Sequence, residues 1–189
     1  VILGPVFSDK VGELKSLSFN SDMQIITFSN NINIFKKNVY MSGLSIKNEI
    51  EAILEYSEKN DHVNFGMIIP ENIYGNNIVK YFEYLTLDKN INIISKVFYD
   101  PMNPDFYEVA MSISDYENRN KNLLEKIELL KQSNTDENKK QIKLLKKNDT
   151  LGDLKFDSLF IAVENFNQLS LLSSTLPYYD VDPKKVQYF

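Results

Sequence analysis

The 189-residue chain contains no cysteine, no tryptophan, one histidine (His62) and six scattered glycines. Without cysteine there is no disulfide framework, thiol nucleophile, zinc ribbon or iron–sulfur ligation. A single histidine excludes multi-histidine metal centres and leaves little for a Ser-His-Asp relay. It follows Asn60-Asp61 at the edge of an expected strand, where an ordinary strand-entry residue is the simpler reading. No glycine-rich fingerprint follows any apolar run, so Rossmann and P-loop nucleotide binding lack their phosphate cradle. No Gly-x-Ser-x-Gly elbow is present either. Lys and Arg are outnumbered 21 to 26 by Asp and Glu, for a net charge of -5. That balance argues against a nucleic-acid partner, because binding phosphate backbones needs a basic face. No apolar run approaches the roughly 20 residues that span a bilayer.

What is present is a globular composition, 43% hydrophobic with 12% aromatics, and enough length for one domain or two small lobes. Short apolar runs alternate with amphipathic segments, the pattern of an α/β fold with parallel sheets. Strands are predicted at 1–3, 23–28, 39–41, 63–69, 92–99, 156–163 and 186–189. Helices are predicted from Ser8-Asp9 to about 17, from Ser45 onward with Ile46, Ile50, Ile53 and Leu54 on one face, over 76–87, from Asp105, and over 166–176. Repeated strand–helix–strand units imply right-handed crossovers. The opening Val1-Ile2-Leu3-Gly4-Pro5, with no Met, reads as a piece of a longer protein.

The stretch 105–147 breaks this rhythm, being longer than a crossover helix requires. Leu123, Leu124, Ile127, Leu130 and then Ile142, Leu144 and Leu145 recur at helical spacing among Lys and Glu, with a break at Ser133-Asn134-Thr135-Asp136. Ser133 and Asp136 are spaced like a capping box. The reading is a helical hairpin at about 112–148, its Leu/Ile seam buried by folding back on itself. It is either a solvated spacer or a partner-docking arm.

Among candidate chemistries, the acidic pairs Asp153/Asp157 and Asp180/Asp182 have the charge to hold a cation. Turn capping beside Gly152 and Pro183 is the simpler role. The residues therefore indicate no catalytic set, metal site or cofactor. The remaining candidates are loops at the carboxyl ends of strands, where parallel sheets hold ligands. These are Phe7-Ser8-Asp9, Ser29-Asn30-Asn31, Ile73-Tyr74-Gly75, Tyr99-Asp100-Pro101 and Glu164-Asn165. They combine hydroxyls, amides, aromatic rings and a carboxylate without an activated nucleophile, which suits binding a small polar molecule. Helix capping is the alternative, and the two roles are compatible.

The order Gly4-Pro5-Val6-Phe7-Ser8, Ile25-Ile26-Thr27-Phe28-Ser29, then Ile68-Ile69-Pro70 with Tyr74-Gly75 resembles the type I periplasmic-binding-protein fold. Ser114-Asp115-Tyr116-Glu117-Asn118-Arg119, the charged insertion, the run from Asp149 to Asp157 and Leu176-Pro177-Tyr178-Tyr179-Asp180-Val181-Asp182-Pro183 resemble the penicillin-binding protein activator branch of that fold. The resemblance implies a non-enzymatic protein, periplasmic and lipid-anchored in full length, that assists or regulates peptidoglycan synthesis with a peptidoglycan synthase as partner. It further implies a partial first lobe at 1–44, a crossover helix at 45–60 and a second lobe at 61–189. The strands missing from the first lobe are supplied by chain beyond these residues or by a homo-oligomer. The alternative function is a solute-binding protein that delivers an amino acid or related small polar ligand to an ABC transporter permease. An enzyme is the third class, and no catalytic constellation supports it. For a ligand, the implied cleft residues are Ser8, Ser29, Asn30, Tyr74 and Glu164. Ser8 and Ser29 would meet a carboxylate, Glu164 would answer an ammonium group from an exposed position, and Tyr74 would cover the side chain.

Overall fold

A computed structural model describes residues 1–6, 10, 13, 24–29, 37–133 and 135–189. It divides into two compact units, Val1–Glu55 and Tyr56–Phe189. The helix predicted from Ser8-Asp9 to about 17 lies outside the described residues, apart from Lys10 and Glu13.

The first unit holds a parallel sheet of β1 (Ile2–Leu3), β2 (Ile25–Thr27) and β3 (Val39–Met41), in the order β1-β2-β3. Ile2, Ile25 and Val39 lie side by side in register and form its small core. β2 is shorter than the predicted 23–28. The first helix described, α1 (Ile46–Lys59), runs out of this unit, and the division between units falls within it. Ile50, Leu54 and Ser57 are its buried positions, four and three residues apart as one helix face requires.

The second unit is built on β4 (Asn64–Pro70), whose Phe65, Met67, Ile68 and Ile69 are all 0% exposed. Such a strand is buried on both faces, and parallel neighbours are the usual solution. β5 (Asn92–Tyr99) and β6 (Ser158–Ile161) pair with it in parallel, and β7 (Gln187–Tyr188) pairs with β6, giving the order β5-β4-β6-β7. On one face, α2 (Ile73–Thr86) buries Ile78 and Phe82, with the Phe82 ring edge-on to Phe65 and Phe160. On the other, Val109 and Ala110 of α3 (Phe106–Ile113), Leu172 of α6 (Phe166–Thr175) and Leu176 just after it pack against Ile68 and Leu159. Between those two helices in sequence come α4 (Tyr116–Gln132) and α5 (Asp136–Leu145). A short 3₁₀ turn, Leu176–Tyr179, follows α6.

Three local expectations are corrected. α2 starts at Ile73 instead of 76, because Asn72 accepts a hydrogen bond from the Gly75 backbone at 2.9 Å and caps the helix there. Tyr74 and Gly75 are therefore in the first turn, not in a connector. The cap of α5 is Thr135, bonded to the Asn138 backbone at 3.2 Å, and not the Ser133/Asp136 pair. In the seam of the arm formed by α4 and α5, Leu123 and Ile127 are buried and Leu130, Ile142 and Leu145 are half-buried, but Leu124 is exposed. One residue past Leu123 is about 100° around the helix, too far to share its face.

The arm is fixed at its root by Arg119, the one arginine of the chain. Its Nε and Nη2 donate to the Gly152 carbonyl at 3.1 and 2.8 Å. Nη1 donates to the Ser114 carbonyl at 3.4 Å, and Nη2 also reaches Asp180 at 3.4 Å. Thr150 donates its hydroxyl to the same Asp180 carboxylate. Gly152 presents its carbonyl from a φ of +94°, where a side chain would be strained. One planar guanidinium thus ties the outgoing and returning ends of the arm to the 3₁₀ turn.

The buried layer between β6 and the helices carries a direct test. Leu159→Ala is expected to lower the unfolding free energy of this unit by about 2–5 kcal/mol in urea titrations. Leu171→Ala, on the half-exposed side of α6, is expected to stay within about 0.5 kcal/mol.

Candidate functional site

The carboxyl edge of the second unit's sheet brings three loops together. β4 ends at Pro70, and the Glu71 backbone donates to the Tyr99 carbonyl at 2.8 Å, joining the ends of β4 and β5. Gly75 is required at this junction: a Cβ there would stand 2.0 Å from the Pro70 carbonyl oxygen. The first turn of α2 therefore rests directly on the strand end.

Asn72 connects this junction to the next loop. While its Oδ1 caps α2, its Nδ2 donates to Glu164 Oε1 at 2.9 Å. Glu164 is exposed, as expected for a carboxylate not committed to a buried cation. Its backbone donates to Gln168 Oε1 at 2.9 Å, and Gln168 Nε2 donates to the Pro101 carbonyl at 3.3 Å. The loops after β4, β5 and β6 are thus cross-linked by two amide side chains. Each leads into a helix with a side-chain cap: Asn72 for α2, Asp105 for α3 and Asn165 for α6.

Tyr99 closes the floor. Its ring is buried and its hydroxyl donates to the Ala162 carbonyl at 3.1 Å. Burial, followed by the neighbouring Glu164 carboxylate and Tyr74, pushes its phenol up to about 12. Around this floor Ile73, Met102 and Phe166 are each more than three-quarters exposed, and Tyr74 is 41% exposed. The segments 71–79, 99–111 and 162–176 contain Glu71, Asp100, Asp105, Glu108 and Glu164 but no Lys, Arg or His. The edge is therefore a carboxylate-bearing, aromatic and apolar rim that attracts cationic groups.

Of the five residues expected to contact a ligand, Tyr74 and Glu164 stand together on this edge. Ser29 is at the carboxyl end of β2 in the first unit. It is 5% exposed, and its backbone donates to Thr27 Oγ1 at 3.2 Å while that hydroxyl donates to the Pro5 carbonyl at 2.7 Å. Ser8 and Asn30 lie outside the described residues. Tyr99 was named in sequence as part of the loop Tyr99-Asp100-Pro101, whereas Asn72 and Gln168 were not legible as site residues. Of those two, Asn72 left a sequence signal, an amide three residues before Gly75 at a helix start.

Three of the four paired acids, Asp157, Asp180 and Asp182, have local structural partners. Asp157 accepts from the Asn64 backbone at 3.2 Å, the Val63 backbone at 3.4 Å and the Ser158 hydroxyl at 2.9 Å, which fastens β6 to the start of β4. Asp180 receives Thr150 and Arg119, and Asp182 accepts from the Lys184 backbone at 2.9 Å. Among the described residues no group of three or more His, Cys, Asp or Glu is placed to hold a metal ion. Two cavities, of about 480 and 900 Å³, lie at the root of the arm near the amino ends of the strands. Arg119, which lines both, has its Nε, Nη1 and Nη2 engaged in the contacts above.

No family model matches the chain. It is 25% identical over 111 residues to an uncharacterized protein of Rickettsia prowazekii, a match covering 59% of this chain and 29% of that protein. Among solved structures it is similar to a solute-binding protein of an ABC transporter from Rhodopseudomonas palustris BisB5, in complex with 3,4-dihydroxybenzoic acid. That likeness has TM-score 0.59 and 12% identity, covering 100% of this chain and 42% of that one. A branched-chain amino-acid ABC transporter ligand-binding protein of Burkholderia xenovorans LB400 gives TM-score 0.60 at 7% identity, covering 100% and 40%. A substrate-binding protein of Desulfitobacterium hafniense in complex with Leu gives 0.58 at 12%, covering 96% and 44%. The fold is thus α/β of the type I periplasmic-binding-protein kind. The chain spans about two-fifths of the length of these solved structures and under a third of its curated relative. The penicillin-binding protein activator family is absent from these likenesses.

The buried phenol at the floor predicts an alkaline limit. An unfolded tyrosine loses its proton near pH 10, whereas Tyr99 and Tyr188 hold theirs to about 12. The folded state then binds more protons between those values, so the stability these two phenols contribute is fully present below about pH 10 and is lost as pH rises toward 12. Tyr99→Phe is expected to reduce the slope of unfolding free energy against pH by about one proton over that window, as read from denaturant titrations.

Proposed function

We propose that this protein is a non-catalytic, periplasmic solute-binding protein that takes an ammonium-bearing small molecule, an amino acid or close relative, and delivers it to a transporter permease. The observation that carries the reading is the edge formed by Glu164, Asn72 and Tyr74, with a carboxylate on the surface and no cation in the three surrounding loops. Glu164 answers the ammonium group, held in place by Asn72. Tyr74 covers the side chain, with Ile73 and Phe166 as apolar neighbours in sequence at the same strand ends. By the resemblance in sequence, the loops holding Ser8 and Ser29 meet the ligand's carboxylate. The proteins of like fold support a binding role, since those named are solute-binding proteins, with Leu or an aromatic acid as ligand.

A thermal-shift series with amino acids and hydroxybenzoic acids tests this. At least one amino acid is expected to raise the melting midpoint, since ligand at 100 times its Kd adds about 2.7 kcal/mol by mass action. Glu164→Gln is expected to weaken that ligand roughly 10- to 100-fold, the worth of a hydrogen bond to a charged group. Binding of a hydroxybenzoic acid alone, unaffected by Glu164→Gln, would overturn the assignment of the edge.

A second reading, an envelope protein that activates a peptidoglycan synthase, is favoured by one feature. The arm of α4 and α5 is more than a crossover between β5 and β6 needs. None of the likenesses carries that reading. Replacing 122–146 by a short Gly/Ser bridge is expected to leave the body folded; under this reading it abolishes capture of the synthase, and retained capture would remove the arm from that role.

A further inference from the structure

The arm carries a charge pattern that its packing does not use. In a chain of net charge -5, the nine residues from Lys139 to Lys147 contain five lysines and no acid. On the arm Lys121 pairs with Glu125 at 3.9 Å, Lys131 with Glu128 at 2.9 Å and Lys139 with Asp136 at 3.1 Å, while Lys126 is exposed without such a partner among the described residues. Lys140, Lys143, Lys146 and Lys147 are exposed, and none has a carboxylate within ion-pairing distance among the described residues. Leu144 is 63% exposed in their midst. It lies four residues after Lys140 and three before Lys147, about 160° around α5 from the half-buried Ile142 and about 100° from Leu145.

The helix dipole accounts for cations in the last turn of α5. It does not account for Lys140, nor for an apolar side chain presented to solvent between two lysines. We propose that this face of α5 docks on a lipid bilayer carrying anionic headgroups. Four unneutralised lysines match a surface of diffuse negative charge, where each contributes about fivefold in partition. Their alkyl stems let the ammonium groups reach outward while the neighbouring leucine enters the headgroup boundary. An acidic protein is the competing occupant. The lysines carry flexible stems and no planar, bidentate donor, which fits mobile headgroups better than a fixed carboxylate constellation. This surface shares no residue with the carboxyl edge and stands or falls independently of the ligand.

Co-sedimentation with lipid vesicles tests the proposal on the whole chain. The protein is expected to sediment with phosphatidylglycerol-containing vesicles and not with pure phosphatidylcholine. Binding should be lost between roughly 0.05 and 0.5 M salt, as the screening length contracts from above 10 Å toward a few ångströms. The quadruple variant Lys140→Gln, Lys143→Gln, Lys146→Gln, Lys147→Gln is expected to lose at least 100-fold in partition, and Leu144→Ala about threefold, each with an unchanged circular dichroism spectrum. If the quadruple variant does not fold, the salt dependence of the unaltered protein decides between a charge-driven surface and none. Absence of sedimentation with anionic vesicles, salt-independent sedimentation, equal partition of a folded quadruple variant, or binding to poly-glutamate but not to vesicles would each overturn it.

Discussion

The second unit depends on the burial of one strand. β4 has its apolar side chains removed from water on both faces, and its backbone groups are satisfied by parallel neighbours on both edges. A strand in that position demands helices above and below it. Phe65 and Phe82 close one side, while Ile68 and Leu159 meet α3 and α6 on the other. The crossovers that supply these helices all begin at the carboxyl ends of the strands. The convergence of the loops after β4, β5 and β6 on one edge is therefore a consequence of parallel pairing, not a separate design.

That edge is rigid for reasons visible in its hydrogen bonds. Asn72 caps α2 and holds Glu164 with the same amide, while Gln168 spans from the Glu164 backbone to Pro101. Gly75 allows the helix to sit on the strand end without a Cβ in the way. A binding edge needs side chains whose positions are set before the ligand arrives, since ordering them on binding costs affinity. Here the carboxylate is placed by the framework and remains open to solvent.

The arm is the opposite case. Its two helices bury little, and their hold on the body is concentrated at Arg119, where the Ser114 and Gly152 carbonyls and the Asp180 carboxylate meet one guanidinium. Concentrating the attachment at the root frees the rest of the helical surface from core packing. The lysines of α5 and the exposed Leu144 occupy that released surface.

Much of this was legible in the sequence alone. β3 and β5 occupy the predicted residues, β4 differs by one residue at each end, and the α/β class follows from apolar runs alternating with amphipathic ones. The long charged interruption announced two helices because Leu and Ile recur there at helical spacing. The site was legible only in part. Tyr74 and Glu164 stood out by following strands, but the Asn72–Glu164 contact joins residues 92 positions apart, and no local pattern encodes such a pair. The start of α2 at Ile73 and the exposure of Leu124 were decided by a single cap and by the 100° step of the helix. Periodicity determined which segments became strands and helices, because one-dimensional spacing is what selects a buried face. The tertiary structure decided which side chains share an edge, because strand order brings together loops that the chain itself keeps far apart.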